Sequence, residues 1–281
     1  MRIDAHQHYW KPSRGDYAWM GPAVQPLCRD FLPHDLEPLL RAHSIDGSVV
    51  VQAAPTMAET EYLLELSDRH ASVLGVVGWI DLEQRAAIDD LARLSLHPRF
   101  VGIRPMLQDL PDDAWILRPP VLDALKAFAR TGLVFDFLIF PRHLPHVKRV
   151  LELVPELRAV IDHCAKPDLR GGDLDAWRQG LAEVATHPGL YCKLSGLVTE
   201  ADPARWRPGD LAPAVEHALS VFGAERLIFG SDWPVCTLAA SYDRVIGALG
   251  EVLGGRLSTK QSDDLFGLNA QRLYRLRPRL T

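Results

Sequence analysis

Cysteine is scarce and unpaired in this sequence. Cys28, Cys164, Cys192 and Cys236 are the only ones, and none sits at Cys-x-x-Cys spacing. That excludes a disulfide framework or a thiolate metal knuckle and predicts free thiols in a reducing compartment. Long apolar runs are missing as well: none approaches the roughly 20 residues that cross a bilayer, and no basic-then-apolar leader opens the sequence. The expectation is a soluble, cytoplasmic protein with no membrane partner. Positive charge is not in excess either, since 31 Lys and Arg stand against 36 Asp and Glu for a net charge of −5. One short basic stretch, with Arg272, Arg275, Arg277 and Arg279, is too little for a nucleic-acid-binding face.

What is present is a globular composition, 47% hydrophobic and 24% charged, with no Gly/Ser linker or low-complexity tract to divide it. One domain over residues 1–281 is expected. Eight short runs rich in Val, Ile, Leu and Phe recur along it, at 2–8, 47–52, 73–80, 100–107, 133–140, 157–163, 190–196 and 226–232. Several are continuously apolar rather than alternating, as in parallel strands covered on both faces. Between them lie helical patterns: at 58–70, Tyr62, Leu63, Leu66 and His70 fall on one face, and 212–222 reads similarly. Eight strand–helix units predict an α/β protein, a (β/α)8 TIM barrel. The competing architecture, an open doubly wound sheet, calls for a glycine-rich turn after the first strand, where this chain has His6-Gln7-His8-Tyr9-Trp10.

A barrel gathers its chemistry at the C-terminal strand ends. There this sequence places polar and ionisable groups in apolar surroundings: His6 and His8, Gln52, Trp79, Arg104, Asp136, His163, Lys193 and Ser195, and Asp232. His6 and His8, two apart on one strand, point the same way and can meet one ion or one substrate. First and eighth strands are neighbours in a closed barrel, so Asp232 is expected beside them. A helix N-cap is the structural alternative for Asp232, disfavoured because Trp233-Pro234 follows and the next helix is expected only near Ala239. His163 reads as a second catalytic group or as a core histidine. Lys166 and Lys193 read as substrate-binding groups or as snorkelling side chains. Arg104 offers a fixed fork for a carboxylate, a carbonyl or a polyol. The loop at 9–33 carries Tyr9, Trp10, Tyr17, Trp19 and Phe31; it either shapes the pocket or packs on itself.

Taken together, Asp4-Ala5-His6-Gln7-His8, Gly102-Ile103-Arg104, Asp162-His163-Cys164-Ala165-Lys166-Pro167, Lys193-Leu194-Ser195-Gly196, Gly230-Ser231-Asp232-Trp233-Pro234 and Asn269-Ala270-Gln271-Arg272-Leu273-Tyr274 resemble the amidohydrolase superfamily. The nearest branch is amidohydrolase-2, which holds 2-pyrone-4,6-dicarboxylate lactonase and the lactonases of L-fuconolactone and L-rhamnonolactone. The resemblance runs from residue 1 to about residue 276. It implies that the family's first-strand His-x-His is His6 and His8, its sixth-strand histidine His163 and its eighth-strand aspartate Asp232. Metal-dependent members add a ligand at the end of the fourth or fifth strand, and no histidine stands at 102–105 or 135–141 here. The implied cofactor is therefore at most one Zn2+, weakly held by His6, His8 and Asp232 and dispensable for activity.

The resemblance also implies an enzyme that opens a sugar-acid lactone by attack of water. Asp232 takes the water's proton and His163 polarises the carbonyl. A dicarboxylate substrate would call for several arginines at the mouth, and the strand ends supply Arg104, with Lys166 and Lys193 beside it. Trp19 and Trp79 suit stacking on a sugar ring, and Gln52 and Ser195 complete the expected substrate-binding set. The expected partner is thus a small neutral lactone. An anionic pyrone lactone, a metal-dependent nonoxidative decarboxylation and a noncatalytic sugar-binding barrel stay open as alternatives, as does a homo-oligomer.

Overall fold

The computed structural model describes residues 1–277; Arg279 of the basic stretch and the last residues of the expected domain lie outside the described residues. Each of the eight apolar runs contains a strand: β1 (Ile3–Gln7), β2 (Gly47–Val51), β3 (Val73–Gly78), β4 (Phe100–Ile103), β5 (Val134–Phe137), β6 (Ala159–Ile161), β7 (Leu190–Leu194) and β8 (Leu227–Phe229). They pair in chain order into one eight-stranded sheet, every pair parallel. The sheet closes just beyond its first and last strands. There the Asp232 N–H donates to the His6 carbonyl at 2.8 Å and the His8 N–H to the Trp233 carbonyl at 2.7 Å. With helices between the strands, this is a (β/α)8 barrel.

Local chemistry accounts for the helices. The Thr56 hydroxyl accepts the Glu59 N–H and starts the helix Met57–Arg69, which buries Tyr62, Leu63 and Leu66. His70, expected on that face, has left the helix for an extended conformation. The helix expected at 212–222 begins earlier, at Pro208, in the first turn, where a missing N–H costs no hydrogen bond. After Asp232 a short 3-10 turn (Val235–Leu238) precedes the helix Tyr242–Leu253.

Two apolar layers result. Outward strand residues such as Val50, Val76, Phe135 and Phe229 pack under the helices. Inward ones, among them Ile3, Ala5, Val49, Val51, Val134, Val160 and Ile228, fill the barrel, whose lower end is plugged by Ala270, Leu273, Tyr274 and Leu276. The loop at 9–33 both packs on itself and shapes a pocket: Trp10 and Phe31 exchange backbone hydrogen bonds at 3.0 Å, while Trp10 and Trp19 reach the mouth. No helix among the described residues is long and apolar enough to cross a membrane.

Candidate active site

The first strand carries its histidines inward only because it is irregular. Ile3 and Ala5 face the barrel interior, whereas Asp4 between them points outward, its carboxylate accepting the Tyr242 hydroxyl at 3.1 Å and the Ser231 N–H at 2.9 Å. Strict alternation would send His6 and His8 outward after Asp4. Between Asp4 and Gln7, however, β1 spends one residue more than β2 in the ladder, a β-bulge that reverses the parity. His6 and His8 then turn into the barrel, and Gln7 turns out to the Ser48 hydroxyl at 3.0 Å.

Asp232 and His163 come from segments beyond strand ends, held in conformations that side-chain-bearing residues seldom adopt. Asp232 has φ of 60°, and the four residues His163, Cys164, Ala165 and Lys166 form a left-handed turn with φ of 54°, 51°, 59° and 52°. Each such residue costs roughly 1–2 kcal/mol, a strain concentrated where side chains must be aimed. The result is convergence on one carboxylate oxygen: Asp232 Oδ1 lies 3.3 Å from His8 Nε2, 3.7 Å from His6 Nε2 and 4.0 Å from His163 Nε2. Each imidazole is held from behind through Nδ1. His8 donates to the Val51 carbonyl at 2.7 Å, His163 meets the Ser195 hydroxyl at 2.9 Å, and His6 lies 3.3 Å from Asp162. Both ring nitrogens of His6 face donor-only cations, Nε2 the Arg104 guanidinium at 3.4 Å and Nδ1 the Lys193 ammonium at 3.2 Å.

The electrostatics follow from burial. Burial above all holds His6 and His163 well below the usual histidine range, against the pull of Asp162 on the first and Asp232 on the second. Burial also pushes the Asp232 carboxyl upward, but facing His163, the His8 hydrogen bond and Lys166 outweigh it and leave it below its ordinary value. Neutral imidazole nitrogens around an ionised carboxylate make a donor set that suits a divalent ion such as zinc. His6, His8 and Asp232 offer atoms mutually within 4.8 Å, as do His6, Asp162 and His163.

His8, His163 and Asp232 floor a cavity of about 270 Å³, with His6 and Asp162 buried beneath them; it is lined also by Trp10, Trp19, Arg104, Lys166 and the apolar Leu27, Met106, Leu138 and Leu238. Four expected substrate-binding residues are elsewhere. Lys193 is fully buried below the floor, its ammonium 2.5 Å from Asp136 and 3.0 Å from Asp162, with no face toward the cavity. Burial keeps Asp136 up at about 6 despite Lys193, whereas Lys193 and His6 overcome burial and hold Asp162 well below the carboxylate range. Ser195 is spent on His163, and the Gln52 amide donates to the Arg104 carbonyl at 2.5 Å while its own backbone carbonyl takes Arg104 Nη2. Trp79 lines a neighbouring cleft instead. For Lys193 the physical reason is depth: it pairs in register with Ile228 inside the sheet, whereas His163 and Asp232 follow strands that have already ended. Asp162 and Asp4, unassigned from sequence, orient the site; the only signal was their place beside His163 and in the first-strand motif.

Comparison with known proteins gives the family of the chain. The amidohydrolase family profile matches residues 3–276. An L-fucono-1,5-lactonase of Burkholderia ambifaria is 47% identical over 86% of this chain and 83% of its own, and one of Burkholderia multivorans is 40% identical over 98% and 96%. A crystal structure of a Burkholderia multivorans amidohydrolase with bound zinc superposes with a TM-score of 0.92 at 39% identity, covering 99% of this chain and 100% of that one. A barrel with this histidine and aspartate constellation, matched over almost its whole length, is a member of the amidohydrolase family.

Proposed function

We propose that the protein hydrolyses the ring ester of a neutral sugar-acid lactone of the L-fucono-1,5-lactone type, in the cytoplasm. The observation that carries this reading is the meeting of three histidine Nε2 atoms at Asp232 Oδ1 on the floor of the pocket, in a chain 47% identical to an L-fucono-1,5-lactonase. Asp232, ionised at neutral pH, accepts a proton from a water as that water's oxygen bonds the lactone carbonyl carbon. Lys166 on the pocket wall and the His163 imidazole stabilise the oxyanion. When the bond to the ring oxygen breaks, the proton passes from Asp232 to that oxygen, leaving a hydroxy acid. Apolar Leu27, Leu138 and Leu238 keep bulk water from the oxyanion. Neutrality of the substrate follows from Arg104: Asp162 and the Gln52 backbone carbonyl already engage its guanidinium, so no free fork remains to clamp an extra carboxylate.

His6, His8, His163 and Asp232 are the residues to hold a zinc ion, which supplies a Lewis acid for the carbonyl when bound. Its hold is weak, because the Arg104 guanidinium stands 3.4 Å from the His6 ligand atom and Lys166 shares the wall. Zinc is therefore expected to be substoichiometric and exchangeable, with turnover declining little after prolonged chelation. Metal content and turnover of the same samples check this; activity that vanishes with the metal and returns in proportion to added zinc would make the ion essential. Release of acid from a panel of sugar and aromatic lactones, read with a pH indicator, tests the function itself. Carbon dioxide release from aromatic acids, with no lactone opened, would transfer the site to decarboxylation.

A further inference from the structure

A second and larger cavity, of about 620 Å³, adjoins the active-site pocket. Trp19, Met106 and Asp109 line both, so the two spaces share one wall. Trp19 is a fixed part of that wall, since its indole N–H donates to the Ala53 carbonyl at 2.8 Å and its ring meets Trp10 edge-on, with 38% of the residue still exposed. Trp79 is half-buried in the same cleft, and Trp115 is buried in its lining. The charged groups there are all carboxylates, Asp16, Asp81, Glu83 and Asp109, with no lysine, arginine or histidine among the lining residues. Arg14 fixes Asp16 at 2.9 Å and Arg118 fixes Glu83 at 2.8 Å, both from outside the cavity.

The two cavities thus differ in chemistry. The inner pocket presents the Lys166 ammonium beside the engaged Arg104 and suits the ester end of a molecule that becomes a carboxylate. The outer cleft repels anions, offers aromatic faces to the C–H face of a ring, and offers carboxylate oxygens to hydroxyl groups. At 620 Å³ it falls inside the roughly 300–1,000 Å³ range of small-molecule sites. We propose that the outer cleft binds a neutral sugar ring attached to the lactone, so that the preferred substrates are glycosylated sugar-acid lactones, the lactone ring held inside and the appended hexose against Trp19 and Trp79. The proposal rests on the lactonase reading for the inner pocket.

Two measurements test it. The first compares kcat/KM for an unsubstituted 1,5-lactone with that for the same lactone carrying a neutral hexose at O2, O3 or O4. At least one glycosylated isomer should be preferred roughly tenfold, as a well-placed aromatic contact allows. Trp79→Ala should collapse that ratio and Trp79→Phe should retain it. Equal or poorer turnover of every glycosylated isomer would overturn the proposal. The second titrates the protein with reduced neutral disaccharides, which contain no lactone, and follows tryptophan fluorescence. Saturable binding weakened by Trp79→Ala supports the cleft whether or not any lactone is opened, and absence of binding refutes it. Turnover of no lactone, with the disaccharide still bound, would reject the lactonase reading and leave the sugar site standing.

Discussion

At the scale of single residues, Asp232 and Lys193 do opposite jobs with similar burial. Asp232 is 4% exposed, yet it lines the pocket and is ringed by imidazoles. Asp232→Asn preserves the shape of the side chain but cannot accept the water's proton. The fold should remain and turnover should drop by about 10² to 10⁴; near-normal hydrolysis by that variant would dismiss Asp232 as the base. Lys193 is 0% exposed and lies between the Asp136 and Asp162 carboxylates, of which only Asp162 has a second cation, Arg104 at 3.4 Å. Lys193→Met should therefore lower the unfolding free energy by about 3–5 kcal/mol, visible in a denaturant midpoint. A variant of normal stability with only a raised KM would return Lys193 to the substrate-binding role expected from its place in the sequence. That both lie at the end of an apolar run was legible; which of them reached the pocket was not, because apolar composition does not mark where pairing stops.

At the scale of elements, the site depends on how β6, β7 and β8 end. Gly196, just after β7, has φ of 63°, and a Cβ placed there would collide with His163 Nδ1. Gly196→Ala should push His163 off the Ser195 hydroxyl, lower kcat and add backbone strain on the order of 1 kcal/mol. Kinetics with a thermal unfolding curve check both, and unchanged kcat would mean that His163 tolerates displacement. The bulge in β1 works at the same scale. A two-residue spacing correctly places His6 and His8 on one side, but alternation from Ile3 and Ala5 assigns them the wrong side. One extra residue decides the matter, and it arises from pairing with β2, which no local pattern in β1 encodes.

At the scale of the whole molecule, folding buries carboxyl groups that prefer to be neutral. Glu59, accepting the Ala53 and Ala54 N–H groups at 3.0 and 2.7 Å, is pushed by burial from 4.5 up to about 8. The folded state then binds more protons than the unfolded one between those values. Its contribution to stability is complete below about pH 4.5 and is lost as pH rises toward 8. Glu59→Gln lacks that titration, so its stability relative to the parent should improve across that window. The gain is a few kcal/mol at most, because each tenfold change in proton affinity is worth about 1.4 kcal/mol. Denaturant titrations at pH 5 and pH 8 (about the two ends of the window) check the sign; a difference that stays constant or shrinks would show that Glu59 is ionised in the native protein.

The sequence by itself determined the eight strands, the barrel, the family and the group His6, His8, His163 and Asp232. Each of these rests on periodicity or on short motifs that survive in one dimension. Only the tertiary structure decided that Lys193, Ser195 and Gln52 serve their neighbours, that Trp79 belongs to an adjoining cleft, and that Asp4 and Asp162 brace the histidines. Those outcomes depend on the depth at which each strand stops and on the parity shift of one bulge. They also depend on hydrogen bonds between residues as far apart as Asp4 and Tyr242, distances that no local pattern along the chain records.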